Sequence, residues 1–100
     1  MSESKISIPE KSLRRFCMQY RVRRLALFGS VLRDDFRADS DIDILVLFEP
    51  GAKVSFLTLG RMQRELSTMF NRRVDLVPQE GLKPVIREAV LASAQEVYAA

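Results

Sequence analysis

The segment Ser40-Asp41-Ile42-Asp43-Ile44 runs straight into Leu45-Val46-Leu47-Phe48, so two carboxylates alternate with two isoleucines at the head of a long apolar run. Side chains of a strand point alternately to opposite faces, which sends Asp41 and Asp43 to one face and Ile42 and Ile44 to the other. The unbroken apolar stretch that follows suits a strand covered on both faces, as in the interior of an α/β sheet. Two ionised aspartates held this close repel each other unless a cation lies between them. With no histidine or thiolate nearby, all-oxygen ligation points to Mg²⁺ or Mn²⁺ rather than zinc. A solvated strand entry, with Asp41 capping a turn and Asp43 paired to an arginine, is the competing reading of these residues alone.

The flanking sequence supplies further elements. Pro9 suits a first helical turn, and Leu13, Phe16, Cys17 and Tyr20 keep helical spacing behind it. Leu25 to Phe28 reads as a buried strand closed by Gly29. Residues 30–35 can form one or two helical turns, and Arg37 to Ser40 is a polar loop. Ser55 caps a helix running to about Phe70, on which Leu59, Met62, Leu66, Met69 and Phe70 share a face. Arg73 to Val77 is a third strand ended by Pro78, and Pro84 opens a last helix with Val85, Ile86, Ala89, Val90 and Val97 facing inward. The expected order is αβαβαβα, an α/β (α+β) fold with a small mixed sheet flanked by helices. It is expected to form one domain over residues 1–100, with residues 1–7 frayed.

Composition narrows the chemistry. The absence of histidine and the single cysteine, Cys17, exclude a Ser-His-Asp triad, a typical zinc finger and a disulfide framework. Met1 to Lys11 lacks the apolar core of a signal peptide and no run is long enough to cross a bilayer, so a cytoplasmic chain without a membrane partner is expected. Charge is segregated: Lys11 to Arg24 holds six cations and no acid, whereas Asp34 to Glu49 holds six acids and one cation, Arg37. Such polarity suits a site handling metal and phosphate together, though each block alone also fits a solvated surface. The basic block lacks aromatic interleaving or a recognition helix, so nucleic acid is not the expected partner. Cys17, Met62 and Met69 read as core residues.

Leu25-Ala26-Leu27-Phe28-Gly29-Ser30 is a strand meeting a glycine and a serine where the next helix starts, an arrangement that lets a phosphate approach the backbone. Gly29-Ser30, ten residues, then Asp41-Ile42-Asp43 resembles the signature of the polymerase beta superfamily of nucleotidyltransferases. Arg33 and Ser40 also fall at commonly seen places in it. The run from Leu27 to Phe36, closing in Ser40 to Val46, is similar to the small MNT-type members, the antitoxins of HEPN/MNT toxin-antitoxin pairs. In that family a third carboxylate lies on a later strand, where Arg73-Val74-Asp75-Leu76-Val77 offers Asp75. One departure is Asp34, which stands where many relatives have glycine.

The resemblance implies a polymerase beta-type core in which Asp41, Asp43 and Asp75 hold two Mg²⁺ ions, or Mn²⁺, and act in catalysis. Gly29 and Ser30 would hold the leaving phosphates of ATP or another nucleoside triphosphate, with Arg33 and Ser40 as further nucleotide-binding candidates. For Arg33, an ion pair with the neighbouring acids or with a partner chain is the alternative. The implied reaction moves AMP from ATP onto a hydroxyl of a HEPN-type helical partner. Larger members carry a further helical domain that holds base and acceptor, so a second chain, this partner or another copy, is expected to close the cleft. A non-catalytic antitoxin or regulatory subunit is the alternative function, and a nucleic-acid binder using the basic block a third.

Overall fold

The computed structural model describes residues 8–29 and 40–100. The Pro9 carbonyl accepts from the Leu13 N–H and opens α1 (Glu10–Gln19), whose Leu13, Phe16 and Cys17 are buried. Arg21 then takes a left-handed φ of 56° and turns the chain into β1 (Val22–Phe28). After residues 30–39 come β2 (Ile42–Phe48), α2 (Phe56–Phe70), β3 (Val74–Pro78), a short 3-10 turn (Gln79–Gly81), α3 (Pro84–Ser93) and β4 (Gln95–Ala99). The helical turns expected over residues 30–35 lie outside the described residues.

The strands form one sheet in the order β3-β2-β1-β4, antiparallel except for the parallel β2–β3 pair. This is the expected mixed sheet flanked by helices. The two central strands are the most apolar because both of their faces are covered. On one face Leu25, Leu27, Ile42, Ile44, Val46, Val74 and Leu76 pack with Leu13, Phe16 and Cys17 of α1 and Met62 and Leu66 of α2. On the other, Ala26 and Leu45 pack with Leu82, and Val90 and Leu91 of α3 close over them. Burial pushes the Cys17 thiol from 9.0 up to about 12, which marks it as an inert core thiol. Among the described residues, no helix is long and apolar enough to cross a membrane.

Three expectations need correction. β1 begins at Val22, three residues earlier than the apolar run suggests, because its backbone pairs there with both neighbours, Val22 with Phe48 of β2 and Arg24 with Ala99 of β4; Arg24 Nε also donates to Glu96 Oε1 of β4 at 2.7 Å. The last helix stops at Ser93: Ala94 adopts an extended ψ of 141°, and Val97 therefore lies on β4 instead of a helix. Val85 and Ile86 face outward, 84% and 46% exposed, and Ala89 is exposed too; only Val90 of the four helical residues packs inward.

Candidate active site

Three chain ends meet at one edge of the sheet: the exit of β1 and the entries of β2 and β3. Asp43 and Asp75 are direct register partners across the parallel β2–β3 pair. They share the face that carries Leu45, opposite the face on which Ile42 and Ile44 are buried. Phe28 pairs with Asp43, which brings Gly29 alongside that carboxylate. Gly29 has a left-handed φ of +76°, and a Cβ there would come within 3.3 Å of Asp43 Cγ and closer still to Oδ2. Only glycine fits between the end of β1 and the Asp43 carboxylate.

The entries of β2 and β3 are clamped together. The Ile42 N–H donates to the Arg73 carbonyl at 2.9 Å, and Arg72 Nη1 donates to the Ser40 carbonyl at 3.4 Å. Asn71 ends α2 in a left-handed conformation, φ 53°, and the Arg72 N–H returns to the Ser67 carbonyl at 3.0 Å. The turn before β3 is thereby fixed to the helix. β3 is an edge strand, and its outward N–H groups would be open to foreign strands. Side chains of α2 take them instead: Ser67 Oγ accepts from Val74 N–H at 3.0 Å and Gln63 Oε1 accepts from Leu76 N–H at 2.9 Å. These two bonds bracket Asp75. Gln63→Leu should lower stability by about 1–2 kcal/mol, because a half-buried N–H loses its acceptor. A melting temperature lowered by about 4–8 °C per kcal/mol would register it, and an unchanged value would show that the bond is dispensable.

Asp41, just ahead of β2, has Oδ2 at 3.9 Å from Arg73 Nε, with the two side chains 45% and 76% exposed. So solvated a pair is weak and readily exchanged for a stronger cation. It also realises part of the solvated-entry reading. Among the described residues no three His, Cys, Asp or Glu side chains converge closely enough to hold a metal ion as they stand. The structure thus brings Asp43, Asp75 and Gly29 together, with Asp41 beside them but turned to Arg73. Ser40 lies at the same entry with its carbonyl engaged by Arg72, while Ser30 and Arg33 lie outside the described residues. Sequence inspection missed Arg72, Arg73, Gln63 and Ser67. The four-residue spacing of Gln63 and Ser67 on one helix face was their available signal.

The family model for the nucleotidyltransferase domain matches residues 10–97, nearly the whole chain. The chain belongs to the nucleotidyltransferase family. Among curated relatives, it is 37% identical over 89 residues to the protein adenylyltransferase MntA of Thermococcus cleftensis, covering 89% of this chain and 85% of that protein. A crystal structure described as a toxin-antitoxin with AMP-PNP superposes with a TM-score of 0.74 at 20% identity, over 93% of this chain and 75% of that one. The MNT antitoxin complex of Shewanella oneidensis, whose HEPN toxin is tri-AMPylated, gives a TM-score of 0.66 at 19% identity, over 91% and 70%. These two structures show the fold. By its identity to MntA, and to a structure described as a putative minimal nucleotidyltransferase (38% identical over 85% of both chains, TM-score 0.70), the chain is a nucleotidyltransferase of the minimal, MNT type, and it shares its fold with the antitoxin structures.

Proposed function

We propose that this nucleotidyltransferase transfers AMP from ATP to a hydroxyl of a HEPN-type helical protein and so serves as the antitoxin of such a pair. One observation carries the proposal: Asp43 and Asp75 stand opposite each other on adjacent strands, with the glycine end of β1 fitted against Asp43. The names of the T. cleftensis relative and of the S. oneidensis complex support the choice of AMP and of a HEPN partner.

The donor set is oxygen only, which fits Mg²⁺ or Mn²⁺, and Asp41, Asp43 and Asp75 would hold it. When bound, such ions neutralise charge on the triphosphate and on the attacking oxygen. Gly29, with Ser30, offers backbone N–H and hydroxyl donors to the leaving phosphates. The acceptor oxygen bonds to the α-phosphorus as the bond to the bridging oxygen breaks, pyrophosphate leaves, and Asp75 takes the hydroxyl proton. Arg73, whose Nε lies 3.9 Å from Asp41 Oδ2, would stand at the site edge as a counter-charge to phosphate. The stoichiometric binding module stands as the second reading, favoured by the failure of the three carboxylates to converge.

Mixing the purified chain with its HEPN-type partner, ATP and Mg²⁺ should add one or more increments of about 329 Da to the partner by mass spectrometry, as attack at the α-phosphate requires. Asp41→Asn with Asp43→Asn should abolish the adduct. Tight binding of the wild-type pair without adduct or pyrophosphate would replace the enzyme with the binding module.

A further inference from the structure

Helices α1 and α2 lie side by side on the sheet face opposite Asp43 and Asp75, joined where the Tyr20 hydroxyl donates to Glu65. Between them runs a groove of about 430 Å³, lined by Ser12 of α1 and by Arg61, Arg64, Glu65, Thr68 and Met69 of α2. Its surface is mainly apolar, contributed by Met69 and by the alkyl stems of the longer side chains. Leu57, Arg61, Arg64 and Thr68 recur at helical intervals as one exposed stripe of α2, and Phe56 stands exposed beside Leu57. Lys11, Arg15 and Met18 form the matching exposed stripe of α1. Of the five large apolar side chains exposed among the described residues, three, Met18, Phe56 and Leu57, therefore belong to this one face.

The charges of the face are unbalanced. Lys11, Arg15, Arg61 and Arg64 are exposed, and none makes an ion pair with another described residue. Of the nearby acids, Glu65 is engaged by Tyr20, and Glu10 lies on the far flank of α1, where it lines a hollow with Gln95 and Val97 of β4. Arg14, one turn along α1 from Glu10, falls on that flank as well and takes no part.

We propose that the α1–α2 face docks an acidic amphipathic helix of a partner protein, laid along the groove. Apolar side chains with charged ones around them are the make-up of a protein-binding surface. Leu57, Phe56, Met18 and the groove floor supply the first and the four unpaired cations the second, so the complementary element carries one apolar stripe with carboxylates beside it. Its helical form follows from the groove, which is bounded by two helices and suits anchors at i, i+3, i+4 and i+7. From Leu57 to Thr68 the α2 stripe runs about 16 Å, so about 12 residues of helix cover it. A second copy of this chain would set cations against cations. Nucleic acid would leave Leu57, Phe56 and Met18 against phosphates, and the Tyr20 ring, packed on Phe16 with centroids 5.0 Å apart, is not free to stack on bases. The site is independent of the catalytic proposal, since it uses none of the aspartates.

The test uses a hydrocarbon-stapled, fluorescein-labelled peptide of about 16 residues with leucines at helical spacing flanked by glutamates, since an unstapled peptide this short is poorly helical in water. Fluorescence anisotropy with the full chain should give a dissociation constant of about 100 µM or tighter, and amide shift changes in NMR spectra should cluster on α1 and α2. A peptide with lysine in place of each glutamate should bind the wild type at least about 10-fold more weakly. Arg61→Glu with Arg64→Glu should reverse that order of preference, which a generally weakened variant cannot do. Leu57→Ser should weaken the acidic peptide by about 5-fold or more. Lys83→Glu, at the start of α3 on the other sheet face, should change its affinity by less than about 2-fold. Asp43→Asn should leave peptide binding unchanged even if transfer is lost, which separates failure of this proposal from failure of the catalytic one. No binding at about 1 mM chain, shift changes confined to other surfaces, or an unreversed preference in the double variant would overturn the proposal. So would a labelled single-stranded RNA of about 20 nucleotides that binds as tightly as the acidic peptide, which would give the face to nucleic acid. Dimerisation of the wild type that Arg61→Glu with Arg64→Glu abolishes would give it to a second copy and overturn the proposal as well.

Discussion

Gly29→Ala should leave a folded protein that has lost AMP transfer by on the order of 10²-fold, the usual consequence of displacing a reacting group by about an ångström. Two effects of the methyl group combine. The backbone at this position has φ +76°, where a residue with a Cβ is disfavoured by about 1–2 kcal/mol. The added carbon would also meet the Asp43 carboxylate at a distance that real Cβ atoms do not tolerate. Asp43 is the flexible member of that contact, so it is the carboxylate that must turn away, and with it the register-matched approach to Asp75. The stability loss is therefore modest beside the activity loss. Circular dichroism melting together with the adduct assay on the HEPN-type partner checks both; a variant that melts lower yet transfers at the wild-type rate would show that Asp43 need not stay where Gly29 allows it.

Asp75→Asn should show opposite signs in the two measurements. Like charges directly opposite on neighbouring strands cost up to about 1 kcal/mol, and the amide removes one of them. The metal-free variant should therefore melt higher than wild type, by about 2–6 °C for a domain of this size. Transfer should fall by about 10²–10⁴-fold, the range for loss of a positioned proton acceptor, to which any loss of metal binding adds. ATP with Mg²⁺ should raise the melting temperature of the wild type and have little effect on the variant, since a ligand stabilises only the state it binds. A variant that is less stable without ligand and still responds to ATP and Mg²⁺ would assign Asp75 a structural role.

Much of this site was legible in the sequence because period-two alternation is local. Asp41-Ile42-Asp43 and Val74-Asp75-Leu76 each announce which residues share a face, and the family signature joins them. What local pattern could not convey was pairing. That Arg73 stands beside Asp41 follows from parallel pairing of β2 and β3, which no residue near either strand encodes. β4 escaped notice because Gln95-Glu96-Val97-Tyr98-Ala99 is short and half-polar, and Val97 falls at a helical interval from Val90. The true break is at Ala94, an ordinary helix former whose extended backbone is set by tertiary pairing of β4 with β1. Val85, Ile86 and Ala89 were assigned inward on the assumption that apolar helical residues are buried, yet α3 needs only Val90 and Leu91 for the small core over Ala26 and Leu45.

The central claim is that this carboxylate face is a metal-dependent nucleotide site. Calorimetric titration of the chain with an ATP analogue that resists cleavage between its α and β phosphates measures it most directly. In the presence of Mg²⁺ the wild type should bind about one nucleotide per chain, binding should largely vanish when Mg²⁺ is chelated, and Asp41→Asn with Asp43→Asn should not bind. Equal binding by wild type and double variant, with Mg²⁺ or without it, would contradict the claim.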